Sequence, residues 1–151
     1  MMQLREEKQI VITRLFLPLF LMLFVLMVAV PAIAANYVKP DEFKQWLDGN
    51  REMVIVDVQP AAEFAQHHFK EAIETNAFPG KTDEEKMRLD RTLPVINASE
   101  SAVVIVCPRG GGGAKNAYEY LKSKGVAEQR LHILEKGIEG WPYKEMFITH
   151  R

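Results

Sequence analysis

The chain has 151 residues, of which 48% are hydrophobic and 26% charged, and its formal net charge is −1. Such a balanced charge argues against a nucleic-acid partner, because nucleic-acid-binding proteins carry an excess of basic residues. The single cysteine, Cys107, excludes a disulfide within the chain, so the stability of the fold must come from its core.

Residues 1–34 are typical of a secretory signal peptide. An uncharged apolar stretch follows the basic residues near the start, and the small residues Ala32 and Ala34 predict cleavage after Ala34. An uncleaved anchor is the alternative, because residues 15–35 match the roughly 20 apolar residues that span a bilayer. In both cases we expect residues 35–151 to form one domain in the periplasm or another extracytoplasmic space. The membrane is a partner only if the anchor is retained.

The first half of this domain predicts a helix, a strand and a second helix. Pro40 stands at a first helical position and Gly49 just past a last one, which predicts a helix over residues 40–48. Residues 53–58 are mostly β-branched and predict a buried strand, and residues 61–69 predict the next helix.

The second half continues the alternation. Residues 72–78 predict a weak strand and residues 83–91 a charged helix. Residues 102–106 predict a buried strand, residues 114–121 a helix and residues 130–134 a further strand. Strands that alternate with helices over one compact unit predict an α/β domain, with a mostly parallel central sheet flanked by helices on both faces.

Cys107 stands at a position where chemistry is expected. It follows the strand of residues 102–106 directly and precedes a glycine run, Gly110–Gly113, that leads into a helix. Ligands of open α/β sheets bind at the carboxyl ends of strands, and a helix N-terminus offers unpaired amide groups to an anion, including a thiolate. We therefore predict that Cys107 is a nucleophile. An intermolecular disulfide, inert burial of the thiol and a merely flexible glycine linker are the alternatives.

The histidines do not predict a metal site. His67 and His68 are adjacent, and on a helix adjacent side chains point about 100° apart, so the two cannot readily share one metal ion. No local signature supports a cysteine protease, which needs a histidine and an orienting Asn or Asp. We predict no metal and no cofactor.

Four segments along the chain carry short motifs that occur together, in this order, in one known family. Residues 54–64 contain the pairs Asp-Val and Glu-Phe, and residues 68–76 contain a pattern of His, Ala and Asn. Residues 104–125 contain a strand, the cysteine loop and a helix. Residues 134–141 contain a closing pattern of Gly and Trp. Together they resemble the single-domain rhodaneses, which are thiosulfate sulfurtransferase-like domains. The resemblance covers nearly everything from Val38 to Trp141.

The resemblance implies a three-layer rhodanese-like fold over residues 35–151 and a sulfurtransferase activity. In such enzymes the cysteine thiolate takes the outer sulfur of thiosulfate or a persulfide, keeps it as a persulfide and passes it to a thiol or cyanide acceptor. Cys107 is then the catalytic residue, and a periplasmic protein is one candidate partner. The substrate-binding residues are those of the loop that follows: Pro108, Arg109, Gly110, Gly111, Gly112 and Gly113.

Three further residues take roles from the same resemblance. Asp57 ends a neighbouring strand, and family usage makes it a buried organiser of hydrogen bonds. Gln59 stands where the family usually has arginine, so one customary interaction is altered. Arg109 matches a position at which some members carry a cation that holds an anionic donor, and a solvated surface arginine is the alternative.

The loop departs from the usual form in its length. With the helix residues held in the family's register, the stretch from Cys107 to Gly113 is one residue longer than usual, as in related phosphatases and arsenate reductases. Those phosphatases need an arginine where this chain has Gly113, so phosphatase chemistry is disfavoured. An arsenate-type oxyanion reductase and a non-catalytic module that binds a sulfur species or a partner remain alternative functions. The longer loop predicts poor turnover of thiosulfate and a preference for a bulkier donor.

Overall fold

The computed structural model describes residues 35–149. The chain divides into two units, Met1–Ala34 and Ala35–Arg151, and the predicted signal peptide or anchor lies outside the described residues. In residues 35–149 no helix is both long enough and apolar enough to cross a membrane.

Strands alternate with helices along most of the described chain, as the sequence predicts. The strands are β1 (Tyr37–Val38), β2 (Met53–Asp57), β3 (His68–Phe69), β4 (Ile73–Glu74), β5 (Ala102–Val106), β6 (Leu131–Leu134) and β7 (Phe147–Ile148). The α-helices are α1 (Pro40–Asp48), α2 (Ala61–Gln66), α3 (Asp83–Met87), α4 (Leu93–Asn97) and α5 (Gly112–Ser123). Short 3₁₀ helices cover Arg88–Thr92, Glu128–Arg130 and Lys144–Met146.

The central sheet has five strands in the order β1-β6-β5-β2-β4, and all of its neighbouring pairs are parallel. Strand β5 lies in the middle, with Val106 opposite Asp57 at the end of β2. Strands β3 and β7 form a separate antiparallel pair. The predicted fold class, an α/β domain with a mostly parallel sheet between helices, is confirmed.

The side chains of β5 alternate between two cores on opposite faces of the sheet, as the pleat of a strand requires. Val103 and Ile105 point to the first face, where they pack with Ala117 and Leu121 of α5. The thiol of Cys107 belongs to this face. Val104 and Val106 point to the second face, which α1 covers. Because both faces are covered, β5 is a continuous apolar run rather than an alternating one.

An aromatic cluster on the second face fixes the chain that follows β6. The rings of Phe43, Phe69 and Trp141 pack edge to face with centroids 5.0 to 5.6 Å apart. The indole N–H of Trp141 donates to the carbonyl of Tyr143 at 2.8 Å. This packing holds the turn between Leu134 and Trp141 against the carboxyl end of the sheet, beside the cysteine loop.

The prediction of one helix over residues 61–69 is wrong in its last part. Helix α2 ends at Gln66, and His67 is extended, with φ −163° and ψ 126°. His68 and Phe69 instead pair with β7, which the sequence analysis missed because the two strands meet only through tertiary contact. The two histidines therefore do not share a helix.

The stretch between β4 and β5 also differs from the prediction. The strand expected over residues 72–78 is shortened to Ile73–Glu74, and the chain turns away at Asn76, whose φ is 56°. The charged helix expected over residues 83–91 is α3 followed by a 3₁₀ turn. Helix α3 starts with a capping box between Thr82 and Glu85. Helix α4 was not predicted, and neither was the short strand β1.

Candidate active site

Cys107 lies between the end of β5 at Val106 and the start of α5 at Gly112. It is 1% exposed, and the backbone N–H of Gly110 donates to its Sγ at 3.1 Å. Helix α5 has 12 residues, so its N-terminus directs unpaired amide groups and partial positive charge towards the cysteine loop. The structure therefore places the thiol beside the backbone N–H of Gly110 and the N-terminus of α5.

The turn after β6 holds the beginning of the cysteine loop by two backbone hydrogen bonds. The N–H of Ile138 donates to the carbonyl of Cys107 at 3.0 Å, and the N–H of Glu139 donates to the carbonyl of Pro108 at 2.9 Å. Gly137 makes this approach feasible, because its φ is 58° and a Cβ there would lie 2.1 Å from the carbonyl oxygen of Cys107. Pro108 itself is buried and so acts as part of the support.

The four glycines of the loop differ in what they do. Only Gly110 is left-handed, with φ 64°, and a Cβ there would lie 2.6 Å from the backbone nitrogen of Lys136. A Cβ on Gly113 would lie 2.5 Å from the ring of Phe78. Apart from the adjoining residues and the backbone of α5 itself, no atom of residues 35–149 lies within 4 Å of a Cβ built on Gly111 or Gly112. The run is therefore not a uniform flexible linker, and its last two members form the first turn of α5.

A pocket of about 240 Å³ opens beside Cys107. The loop forms one wall, and the segment after β4 together with α5 forms the other. Of the predicted substrate-binding residues, Pro108 and Gly110 are not among the described residues that line it. Its lining is Phe78, Pro79, Lys81, Cys107, Arg109, Gly111, Gly112, Gly113 and Asn116.

The second wall was missed by the sequence analysis, although the Pro79-Gly80 turn indicates a bend there. The side-chain amide of Asn116 donates to the carbonyl of Pro79 at 2.9 Å. The N–H of Phe78 donates to the carbonyl of Val58 at 2.8 Å, which ties this wall to the end of β2. The wall is thus attached to both the sheet and α5, and the pocket has a defined width.

Arg109 lines the pocket but is already paired. Its guanidinium lies 3.4 Å from a carboxylate oxygen of Glu139, and the two side chains are 70% and 58% exposed. An exposed pair of this kind contributes little to stability. It does partly neutralise the cation that the sequence analysis offered as a donor-binding residue.

Asp57 lies behind the site and is not one of the described residues that line the pocket. It is fully buried, and its carboxylate accepts hydrogen bonds from the backbone N–H of Gln59 at 2.9 Å and from the Gln59 side-chain amide at 3.0 Å. Burial raises the pKa of Asp57 to about 7, although the two bonds from Gln59 oppose the shift. The negative charges of Glu74 and Glu63 add to it.

This raised pKa predicts that stability falls as pH rises. Between pH 3.8, the ordinary value for an aspartate, and pH 7 the folded state keeps a proton that the unfolded state has released. The stabilisation by this proton is therefore fully present below pH 3.8, decreases as the pH rises to 7 and is absent above pH 7. A shift of this size corresponds to about 4 kcal/mol.

The measurement is the free energy of unfolding by urea at pH 4.5 and pH 8, for the wild type and for Asp57→Asn. We expect the variant to show a much smaller difference between the two pH values. Asp83→Asn is the matched control, since the Asp83 side chain is 98% exposed. An Asp57→Asn protein with the same pH dependence as the wild type would contradict the assignment.

The fold and this site define a parallel α/β domain with a cysteine loop between a central strand and a helix. A family model described as a rhodanese-like domain matches residues 39–144. The chain therefore belongs to the rhodanese-like domain family, and the resemblance predicted from its motifs is confirmed. No curated protein sequence matches this chain significantly.

Solved structures share the fold at low sequence identity. Ygr203w of Saccharomyces cerevisiae, described as a homolog of single-domain rhodanese and of the Cdc25 phosphatase catalytic domain, is 20% identical, with a TM-score of 0.58 over 77% of this chain and 88% of that one. A thiosulfate sulfurtransferase from Pseudomonas aeruginosa is 17% identical, with a TM-score of 0.59 over 78% of this chain and 20% of that one. An As-Sb reductase from Leishmania major is 18% identical, with a TM-score of 0.57 over 77% of this chain and 86% of that one.

Proposed function

We propose that this protein is a sulfurtransferase that carries sulfane sulfur on Cys107. The observation that carries the proposal is the position of the Cys107 thiol, which lines a pocket while the N–H of Gly110 donates to its Sγ at 3.1 Å. A nucleophile needs access to a substrate and stabilisation of its anionic form, and this position supports both.

The first step loads the cysteine. The Cys107 thiolate attacks the outer sulfur of thiosulfate, a bond forms between the two sulfur atoms, and the original S–S bond breaks with its electron pair on the departing sulfite. With an organic persulfide, the departing group is the thiolate of the donor. Cys107 then carries one extra sulfur atom as a persulfide, and no external oxidant or reductant is needed.

The second step unloads it. A cyanide ion or an acceptor thiolate attacks the outer sulfur of the persulfide, and the Cys107 thiolate departs with the electron pair of the broken S–S bond. Negative charge thus stays near the loop throughout. Backbone N–H groups are suited to that task because they are fixed dipoles that need no reorganisation during the reaction.

The local chemistry favours sulfur transfer over the oxyanion chemistries on the same fold. Position 113 is a glycine, so no guanidinium at that place can pair with the oxygens of a phosphoryl or arsenate group. A reductase of that type also needs a thiol to resolve its intermediate, and Cys107 is the single cysteine of this chain. A non-catalytic binding module would keep the pocket without using the thiol.

Intact-mass spectrometry of the full-length protein tests the proposal. The reduced protein is exposed to thiosulfate or to glutathione persulfide and then to cyanide. We expect a gain of one sulfur atom from at least one donor and its loss on cyanide. A protein that gains no sulfur from either donor, although it is folded, would instead favour the binding module or an oxyanion site.

We also propose that residues 1–34 direct export, so that Cys107 works in an extracytoplasmic space on a small sulfur donor or with a protein partner. The basic start, the apolar stretch and the Ala32 and Ala34 pattern support this proposal. N-terminal sequencing of the protein recovered from the exporting cell tests it. A start at Ala35 indicates a cleaved signal peptide, a start at Met1 in the membrane fraction indicates an anchor, and a start at Met1 in the cytoplasm contradicts export.

A further inference from the structure

Lys81 is the cation of the pocket that no carboxylate neutralises. It lies on the wall opposite the cysteine loop, and its side chain makes no ion pair with any residue in the described part of the chain. Arg109, the other cation of the lining, is paired with Glu139. Since none of the described residues that line the pocket is acidic, Lys81 supplies the unpaired charge there.

The backbone of Lys81 is held in place, so its side chain starts from a fixed point. Its N–H donates to the carboxylate of Glu85 at 2.8 Å, and the same carboxylate accepts from the N–H of Thr82 at 3.1 Å. These hydrogen bonds lower the pKa of Glu85 and hold its negative charge at the start of α3. Glu85 is thus engaged with backbone groups, and the two acids nearer to Lys81 along the chain pair with other cations: Asp83 with Lys86 at 3.9 Å and Glu84 with Arg88 at 3.1 Å.

The volume of the pocket indicates what kind of anion can bind to Lys81. The pocket has a volume of about 240 Å³ and is open to solvent on one side. This volume is more than an ion as small as thiosulfate needs when its outer sulfur lies on Cys107. The pocket therefore has room for a donor with an organic part that lies on Cys107 and reaches the opposite wall.

We propose that Lys81 selects the sulfur donor by binding the carboxylate of an anionic organic persulfide, while the sulfane end of that donor lies on Cys107. This inference rests on the proposed sulfurtransferase function. The Cys107 thiolate attacks the outer sulfur of R–S–SH, the bond to the inner sulfur breaks, and the donor leaves as the thiolate R–S⁻ with that electron pair. The proton stays on the outer sulfur, so the charges balance.

The test compares glutathione persulfide with the persulfide of glutathione diethyl ester, in which neutral ethyl esters replace both carboxylates. The rate constant for loading sulfur onto the full-length protein is measured for each by intact mass at timed intervals. A charged hydrogen bond of this kind predicts that Lys81→Gln lowers kcat/KM for the anionic donor at least about tenfold. For the ester we expect Lys81→Gln to change kcat/KM by less than about twofold, because the ester has no carboxylate for Lys81 to bind.

Two further variants make the comparison specific. Lys81→Arg keeps the positive charge and is expected to restore most of the loading rate with the anionic donor. Lys115→Gln removes the same charge from an exposed residue of α5 that is not among the described pocket lining, and it is expected to change neither rate. Lys81 is exposed, and thermal unfolding of each variant checks that it is folded.

The outcomes separate the two proposals. Equal losses for both donors in Lys81→Gln, or the same loss in Lys115→Gln, would overturn donor selection by Lys81. Loading rates that are the same in the wild type and in Lys81→Gln for both donors would also overturn donor selection by Lys81. The proposed sulfur transfer would not be affected by that result. A wild type that accepts sulfur from neither persulfide would also overturn donor selection by Lys81, and one that gains no sulfur from thiosulfate either would remove the proposed function with it.

Discussion

Replacing Cys107 by serine is expected to abolish the gain of sulfur and to lower sulfur transfer by at least about a thousandfold, as loss of a nucleophile does in other enzymes. A serine hydroxyl is a weak nucleophile towards sulfane sulfur and is a poor leaving group in the second step. The substitution is nearly isosteric, and the N–H of Gly110 that donates to Sγ can donate to the new oxygen. We expect a loss of stability of about 1–2 kcal/mol for burying the hydroxyl.

The measurement is the rate of thiocyanate formation from thiosulfate or glutathione persulfide and cyanide, together with the intact mass after each donor. Lys115→Gln is the control, because Lys115 is exposed on α5 and is not among the described residues that line the pocket. We expect this variant to keep its transfer rate within a few-fold. A Cys107→Ser protein that still gains sulfur would show that another group carries it.

Replacing Gly137 by alanine is expected to disable the site from outside the cysteine loop. The methyl group would lie 2.1 Å from the carbonyl oxygen of Cys107 and 2.8 Å from the backbone nitrogen of Arg109, and φ at Gly137 is 58°. The backbone cannot yield as a flexible side chain would, so the loop must move away from the turn after β6. We expect a loss of stability of about 3–5 kcal/mol. The hydrogen bond from Ile138 to Cys107 is lost with it, and transfer should fall by about tenfold or more.

Gly125→Ala is the matched control for Gly137→Ala. Gly125 is also left-handed, with φ 92°, but no described atom lies within 4 Å of a Cβ built there. Gly125→Ala therefore measures the strain of a left-handed alanine without a steric clash. We expect this strain to lower the stability by about 1–2 kcal/mol. The measurements are urea unfolding and the loading rate of each variant. A Gly137→Ala protein no less stable than Gly125→Ala would show that the turn after β6 does not hold the loop rigidly.

The elements that the sequence predicts best are those with a strong local pattern. Residues 102–106 form a strand with the predicted bounds, because a short, wholly apolar, β-branched run has few alternatives. Residues 40–48 form the predicted helix, which its proline start and glycine stop define. Strand β7 was missed because two residues carry no period, and only the pairing with β3 makes them a strand.

The sequence by itself determined the class of protein and the candidate nucleophile. The order of strands and helices follows from local periodicity, and the position of Cys107 at a strand end follows from the apolar run before it. The four family motifs are read along the chain as well, so they need no knowledge of its path. Each motif lies within one continuous stretch of the chain, so its residue types and their spacing are visible without the fold.

Only the tertiary structure decided what surrounds the thiol. Strand β4 lies beside β2 and not beside β5, and that order brings the segment containing Lys81 to the wall opposite the loop. The turn that contains Gly137 reaches Cys107 because an aromatic cluster fixes the chain after β6. Arg109 meets Glu139 through the same turn. These contacts join residues far apart in the chain, and they form because both faces of the sheet must be covered, which no short stretch of sequence specifies.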